Sequence, residues 1–116
     1  MRYHTIELNG RELNFRLTAD EMESIEKKLN VKLLDFMQDY SITATLYMLQ
    51  TMWKKEDGKK ASHQEAVDLF DELVDDGWAL RKICEDIIWK TCVVSGLLTE
   101  SDLNKALKSG EQATQN

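Results

Sequence analysis

The chain reads as an α+β domain, mostly α, in which an N-terminal β-hairpin packs on a bundle of about five helices. Three observations predict this. Two short runs of alternating apolar residues flank Asn9-Gly10, the dipeptide best suited to positive φ at both central positions of a type I′ turn. The apolar period then changes from that of a strand to that of a helix at Thr18-Ala19-Asp20-Glu21, a capping-box pattern with Thr18 as N-cap and Glu21 three residues later. Finally, there is no Pro in 116 residues and only five Gly, which suits helices joined by short turns. A chain of this size is large enough for one core and too small to split in two. The reading is one domain over 1–107, with the hairpin at 3–17 and the helical bundle at 19–107, followed by a disordered tail at 108–116.

The hairpin comes first. Tyr3 to Leu8 and Arg11 to Leu17 are the strands, and a two-residue loop pairs Leu8 with Arg11, Ile6 with Leu13 and His4 with Phe15. One face then carries Ile6, Leu8, Leu13 and Phe15. The other sets Glu7 opposite Glu12, a like-charge pair that only a solvated face accepts. A lone hairpin is marginal in water, so its apolar face must lie on the helices or on a neighbouring subunit.

Helices account for the rest. The first runs from about Ala19 to Leu29 and ends at Asn30, a suitable left-handed C′ residue. Val31 to Gln38 forms a short second helix, with either Leu34 and Met37 or Leu33 and Phe36 facing inward. The third, Ser41 to about Lys55, places Ile42, Leu46, Leu49 and Trp53 on one stripe, and Ala44, Tyr47, Met48 and Met52 widen it until little polar surface remains. Such a helix is either the central core helix or one that shares its second side with a partner. Gly58 ends it. A second capping box, Ser62-His63-Gln64-Glu65, opens a fourth helix with Ala66, Leu69, Phe70 and Leu73 inward and an acidic outer face. Beyond Gly77 a fifth helix, Trp78 to about Val94, points Leu80, Ile83, Cys84, Ile87, Thr91 and Val94 inward. A third capping pattern at Thr99 to Asp102 begins a short terminal helix with Leu103, Ala106 and Leu107. The final KSGEQATQN has nothing to bury.

Composition excludes several functions. Net charge is −6 with pI near 4.9, which disfavours nucleic-acid binding, because that affinity depends largely on Lys and Arg neutralising phosphates. The one basic cluster, Lys54-Lys55 with Lys59-Lys60, reads as a solvated helix end. No stretch reaches the roughly 18 apolar residues of a membrane span, and the N-terminus lacks an apolar signal core, so the expected location is the cytoplasm. Cys84 and Cys92 lie eight apart in one helix, roughly 12 Å at 1.5 Å per residue, too far for a disulfide. They read as small core residues.

Reactive chemistry is missing. His4 and His63 are the two histidines, and neither sits in a metal-binding or nucleophile-activating spacing. The acidic run from Asp68 to Asp76 has helical rather than EF-hand period. No glycine-rich phosphate loop occurs. The expectation is therefore no catalytic residue, no cofactor and no metal, and a protein that works by binding. Candidate partner-binding residues are Tyr47, Met48, Met52 and Trp89, since Trp and Met are enriched at interfaces and Met adapts to irregular partners.

Phe15-Arg16-Leu17-Thr18, followed by Glu26, Leu29 and Leu33-Leu34-Asp35, is the most specific part of a longer series that includes SITATLYMLQTMW, SHQEAVDLFDELVDDG and WALRKICEDIIWKTCVVSGLL. Over about Leu13 to Leu98 this series resembles the tail assembly chaperones encoded by long-tailed bacteriophages and by prophages of Gram-positive bacteria. The resemblance implies a small acidic helical factor that keeps the tape measure protein soluble and brings tail tube subunits to it. It also implies a cytoplasmic protein absent from the mature virion, often with a longer frameshifted form. Asn30 stands where relatives often have Gly, a change that still permits the left-handed turn. The rival from another class is a small cytoplasmic regulator, of antirepressor or adaptor type, acting on one protein target. A DNA-binding version would need a basic recognition helix, which the sequence lacks.

Overall fold

The computed structural model describes residues 2–36 and 41–114, with side chains described for 2–35 and 41–108. Asn9 and Gly10 both adopt positive φ, 52° and 78°, as a type I′ turn requires. The strands β1 (His4–Leu8) and β2 (Arg11–Phe15) pair in the register His4–Phe15, Ile6–Leu13, Leu8–Arg11. Leu8, Leu13 and Phe15 are buried, and Glu7 and Glu12 are exposed.

Helix α1 (Ala19–Leu29) starts at the expected cap. Thr18 Oγ1 accepts from Glu21 N at 3.3 Å, and Glu21 Oε1 accepts from Thr18 N at 3.0 Å. Asn30 ends it in the left-handed region, φ 52° and ψ 44°. The turn that follows is tied by Glu26, whose Oε2 accepts from Leu33 N at 2.9 Å. Helix α2 (Leu33–Phe36) buries Leu33 and exposes Leu34. That decides for Leu33 as the inward residue; Met37 lies outside the described residues.

Helix α3 (Ile42–Met52) stops earlier than its period suggests. At Trp53 the backbone turns extended, φ −70° and ψ 119°, and Trp53–Lys54 becomes β3, antiparallel to β2. The open edge of β2 supplies partners that another helical turn would not have, and Arg16 N bonds Met52 O at 2.9 Å on the way. The result is a three-stranded sheet in the order β1-β2-β3.

Helix α4 (His63–Asp75) opens on the second capping box, with Ser62 Oγ and Glu65 N 3.1 Å apart. Arg11 bonds Glu72 at 2.6 Å and Asn9 bonds it at 2.8 Å, which fastens the hairpin turn to this helix. Next comes one helical run in three parts: α5 (Leu80–Ile83), a π-helical segment (Cys84–Trp89) and α6 (Lys90–Val94). A π insertion rotates the residues after it by about 100°. Ile88, Trp89 and Cys92 thereby join Ile83, Cys84, Ile87 and Thr91 in the interior. Thr45 Oγ1 donates to Ser41 O at 2.7 Å, so the thiol of Cys84, 3.6 Å away, is left to donate to Thr45.

The final helix, α7 (Glu100–Thr114), continues past Lys108, where the sequence offers nothing to bury. Thr99 and Asp102 cap it reciprocally and Leu103 is buried under it. With a nucleus in place, each further residue adds a hydrogen bond at little cost. The core draws on the sheet and on the helices: Phe15, Ile25, Leu49, Met52, Leu73, Ile83 and Ile87 are fully buried. Helix α3 sits centrally, against α1, α4 and the π segment.

Candidate functional site

The central place of α3 corrects the expected partner-binding set. Met48 and Met52 are 1% and 0% exposed and Trp89 is 3% exposed, so all three are core side chains. Tyr47 alone of the four is half-buried. The physical reason is that the broad apolar face of α3 is consumed by three neighbours inside the same chain, and the π insertion swings Trp89 inward. Conversely Ile42, expected on the inner stripe, is 49% exposed.

What reaches the surface instead is an apolar seat around α2. Leu33, Leu34, Met48, Trp89, Leu97 and Leu98 line one shallow cleft. Met48 and Trp89 are its buried floor, Leu97 and Leu98 are half-buried, and Leu34 stands out at 51% exposure with Val31 nearby in sequence at 41%. The enclosed volume is only about 10 Å³, room for one water at most. Such a shape is a contact surface and not a small-molecule pocket. The four expected residues therefore divide: Met48 and Trp89 support this cleft from below, Met52 belongs to neither surface, and Tyr47 lines a different groove. Sequence period offered Leu34 only as an alternative for the inward face of α2 and did not single out Leu97 or Leu98, although the adjacent leucine pairs Leu33-Leu34 and Leu97-Leu98 were the available signal.

The second groove, about 540 Å³, lies beside β3 and is lined by Tyr47, Trp53, Lys54, Lys59 and Lys60 among others. Lys54 pairs with Glu21 at 2.6 Å, and Lys55 with Glu65 at 2.5 Å. The Lys55 ammonium holds the Glu65 carboxyl below the usual carboxylate range, and Glu65 in turn raises Lys55. No family model, no curated protein and no solved structure matches this chain.

The described residues contain no group of three or more His, Cys, Asp or Glu placed to hold a metal ion. No described helix is long and apolar enough to cross a membrane. Burial pushes both thiols up, Cys92 to about 12, so neither has thiolate character near neutral pH.

His4 is the one described histidine that the fold engages. Its Nε2–H donates to the Asp86 carbonyl in the π segment at 2.5 Å, which ties β1 to the helix that carries Trp89. Burial lowers its pKa below 6.5, outweighing the hydrogen bond, with Lys90 adding repulsion and the Asp86 carboxylate opposing it. Between that lowered value and 6.5 the unfolded chain binds more proton than the folded one, so stability falls as pH falls through this window. Melting followed by circular dichroism is expected to show a loss beginning at pH 6.5, above the range where carboxylates such as Glu65 and Glu72 lose theirs. His4→Gln is expected to flatten the curve just below pH 6.5.

Proposed function

We propose that this chain is a tail assembly chaperone, which binds the tape measure protein, keeps it soluble and helps to recruit tail tube subunits in the cytoplasm of the host. The observation that carries this reading is the exposed Leu34 above the apolar cleft, on a body with net charge −6. An amphipathic helix can lay its apolar face on such a seat, while the acidic surface keeps the complex in solution.

The residues that carry the family resemblance form the joint that presents this leucine. Phe15 is buried under the sheet, Thr18 caps α1, Glu26 holds the backbone N–H of Leu33, and Leu33 anchors α2 so that Leu34 faces outward. The motif is thus one mechanical unit, and the apolar side chain at its tip is what remains for a partner. Residues of this kind support a binding role, with the partner's apolar helix as the group that is masked.

The direct test is co-expression with the longest coiled-coil-like protein encoded downstream of its gene, followed by pull-down. That protein is expected to become soluble and to co-purify. A partner that stays insoluble and unbound would overturn the reading in favour of a regulator with another target.

A further inference from the structure

The sheet closes one of its edges and leaves the other open. On the β3 side Lys54 bridges to Lys60. On the β1 side no described strand or bridge continues the ladder. The two-residue loop makes Leu8–Arg11 a hydrogen-bonded pair, and the alternation along the register then turns the amide groups of Ile6 and His4 toward β2. The N–H and C=O groups of Thr5 and Glu7 therefore point away from the sheet, and they bond no other backbone group among the described residues. Both residues are exposed. Pro, a bulge or a lysine commonly blunts such an edge. Strand β1 carries none of these, and its one acidic residue is Glu7.

Two features lie along this edge, one on each face of the sheet. Glu7 stands opposite Glu12 in a pair without mutual backbone hydrogen bonds, the kind that brings side chains closest. Like charges so placed are destabilising, and neither carboxylate forms an ion pair among the described residues. The outer face thus holds two uncompensated negative charges. On the inner face Ile6 is only half-buried. Beside it a cavity of about 260 Å³ has His4, Val93, Val94 and Leu103 in its wall. His4 is the only sheet residue among those lining it, which places the cavity on the β1 side. Val93 and Val94 are half-buried, so the apolar wall is open to solvent.

We propose that the β1 edge takes up an extended, basic segment of another protein as a fourth strand. Main-chain hydrogen bonds to Thr5 and Glu7 hold that segment. Its successive side chains face opposite sides of the sheet. A Lys or Arg opposite Glu7 lies on the outer face and neutralises the Glu7–Glu12 pair. An apolar side chain opposite Ile6 covers it from the inner face, and the next inward one, opposite His4, enters the cavity. A second copy of this chain does not fit that description, because two β1 edges side by side gather four glutamates on one face. None of these residues lines the cleft below Leu34, so loss of strand binding and loss of helix capture are separately readable.

Amide hydrogen exchange on the full chain, read residue by residue by NMR, tests this with the peptide acetyl-Thr-Val-Lys-Val-Lys-Val-Thr-amide. Its sequence is the same in both directions, so it offers either strand polarity. At about 1 mM peptide the amides of Thr5 and Glu7 are expected to exchange about threefold more slowly than in the free chain, or slower still. The same peptide with Glu in place of both Lys is expected to give no protection. Glu7→Lys with Glu12→Lys should reverse the preference, weakening the lysine peptide about tenfold and admitting the glutamate one. Thr5→Pro removes one outward N–H and none that pairs with β2, so this variant is expected to keep its circular dichroism and lose the lysine peptide. Absent protection in the wild type, protection indifferent to these charges, or undiminished binding by a folded Thr5→Pro variant would each overturn the proposal. So would free-chain amides at Thr5 and Glu7 that become protected as protein concentration rises, the mark of a second copy on this edge.

Discussion

Leu34→Asp is expected to abolish co-purification of the tape measure protein while the variant keeps its helical circular dichroism and melts within a few degrees of wild type. Leu34 is half exposed, so a carboxylate there meets water in the free chain, and such surface changes alter stability by only about 0.5 kcal/mol. In the complex the same carboxylate would be buried against an apolar helix without a partner charge. Central interface anchors of that kind contribute roughly 2–4 kcal/mol, a loss of about thirtyfold or more in affinity. Undiminished capture by a folded Leu34→Asp variant would remove α2 from the binding surface.

The second large effect is opposite in kind. Met52→Asp is expected to prevent folding. Met52 is fully buried at the junction of α3 and β3, and its carbonyl holds Arg16 N. An unpaired buried carboxylate costs several kcal/mol, and the lost thioether packing adds about 2–5 kcal/mol. Against a total stability of about 5–15 kcal/mol for a domain of ordinary size, little of the native state survives. Met52→Leu, nearly volume-conserving, should stay folded at a cost below about 1.5 kcal/mol. Chemical denaturation of both variants settles it: a Met52→Asp protein with a cooperative transition near that of wild type would contradict the core assignment. The contrast with Leu34 matters, because the alternation of Met and aromatic residues on α3 invites the reverse assignment.

That reversal has a physical origin. Each helix exposes its own apolar period in the sequence, but nothing in that period says how many neighbours will cover it. Helix α3 is covered on three sides by α1, α4 and the π segment, so its width signalled a central helix and not a shared one. Trp89 went astray for a different reason. Extrapolating a 3.6-residue period through 80–94 leaves it off the stripe, whereas the π insertion at Cys84–Trp89 turns it into the core. A π insertion is a compromise between packing partners, here including the hydrogen bond from His4 to the Asp86 carbonyl, and it leaves no local mark.

The hairpin register, the capped starts at Thr18, Ser62 and Thr99, and the left-handed stop at Asn30 were all written in the sequence, because each depends on residues within four positions of one another. Turn geometry, side-chain capping and φ preference are short-range physics. The tertiary structure alone decided that β2 would draw Trp53 and Lys54 out of a helix, that Met48 and Trp89 would become a floor, and that Leu34 would be left above it. Those outcomes depend on which of several competing surfaces reaches a given apolar face first and buries more of it. Such a competition runs between residues far apart in the chain, and no local pattern records its result.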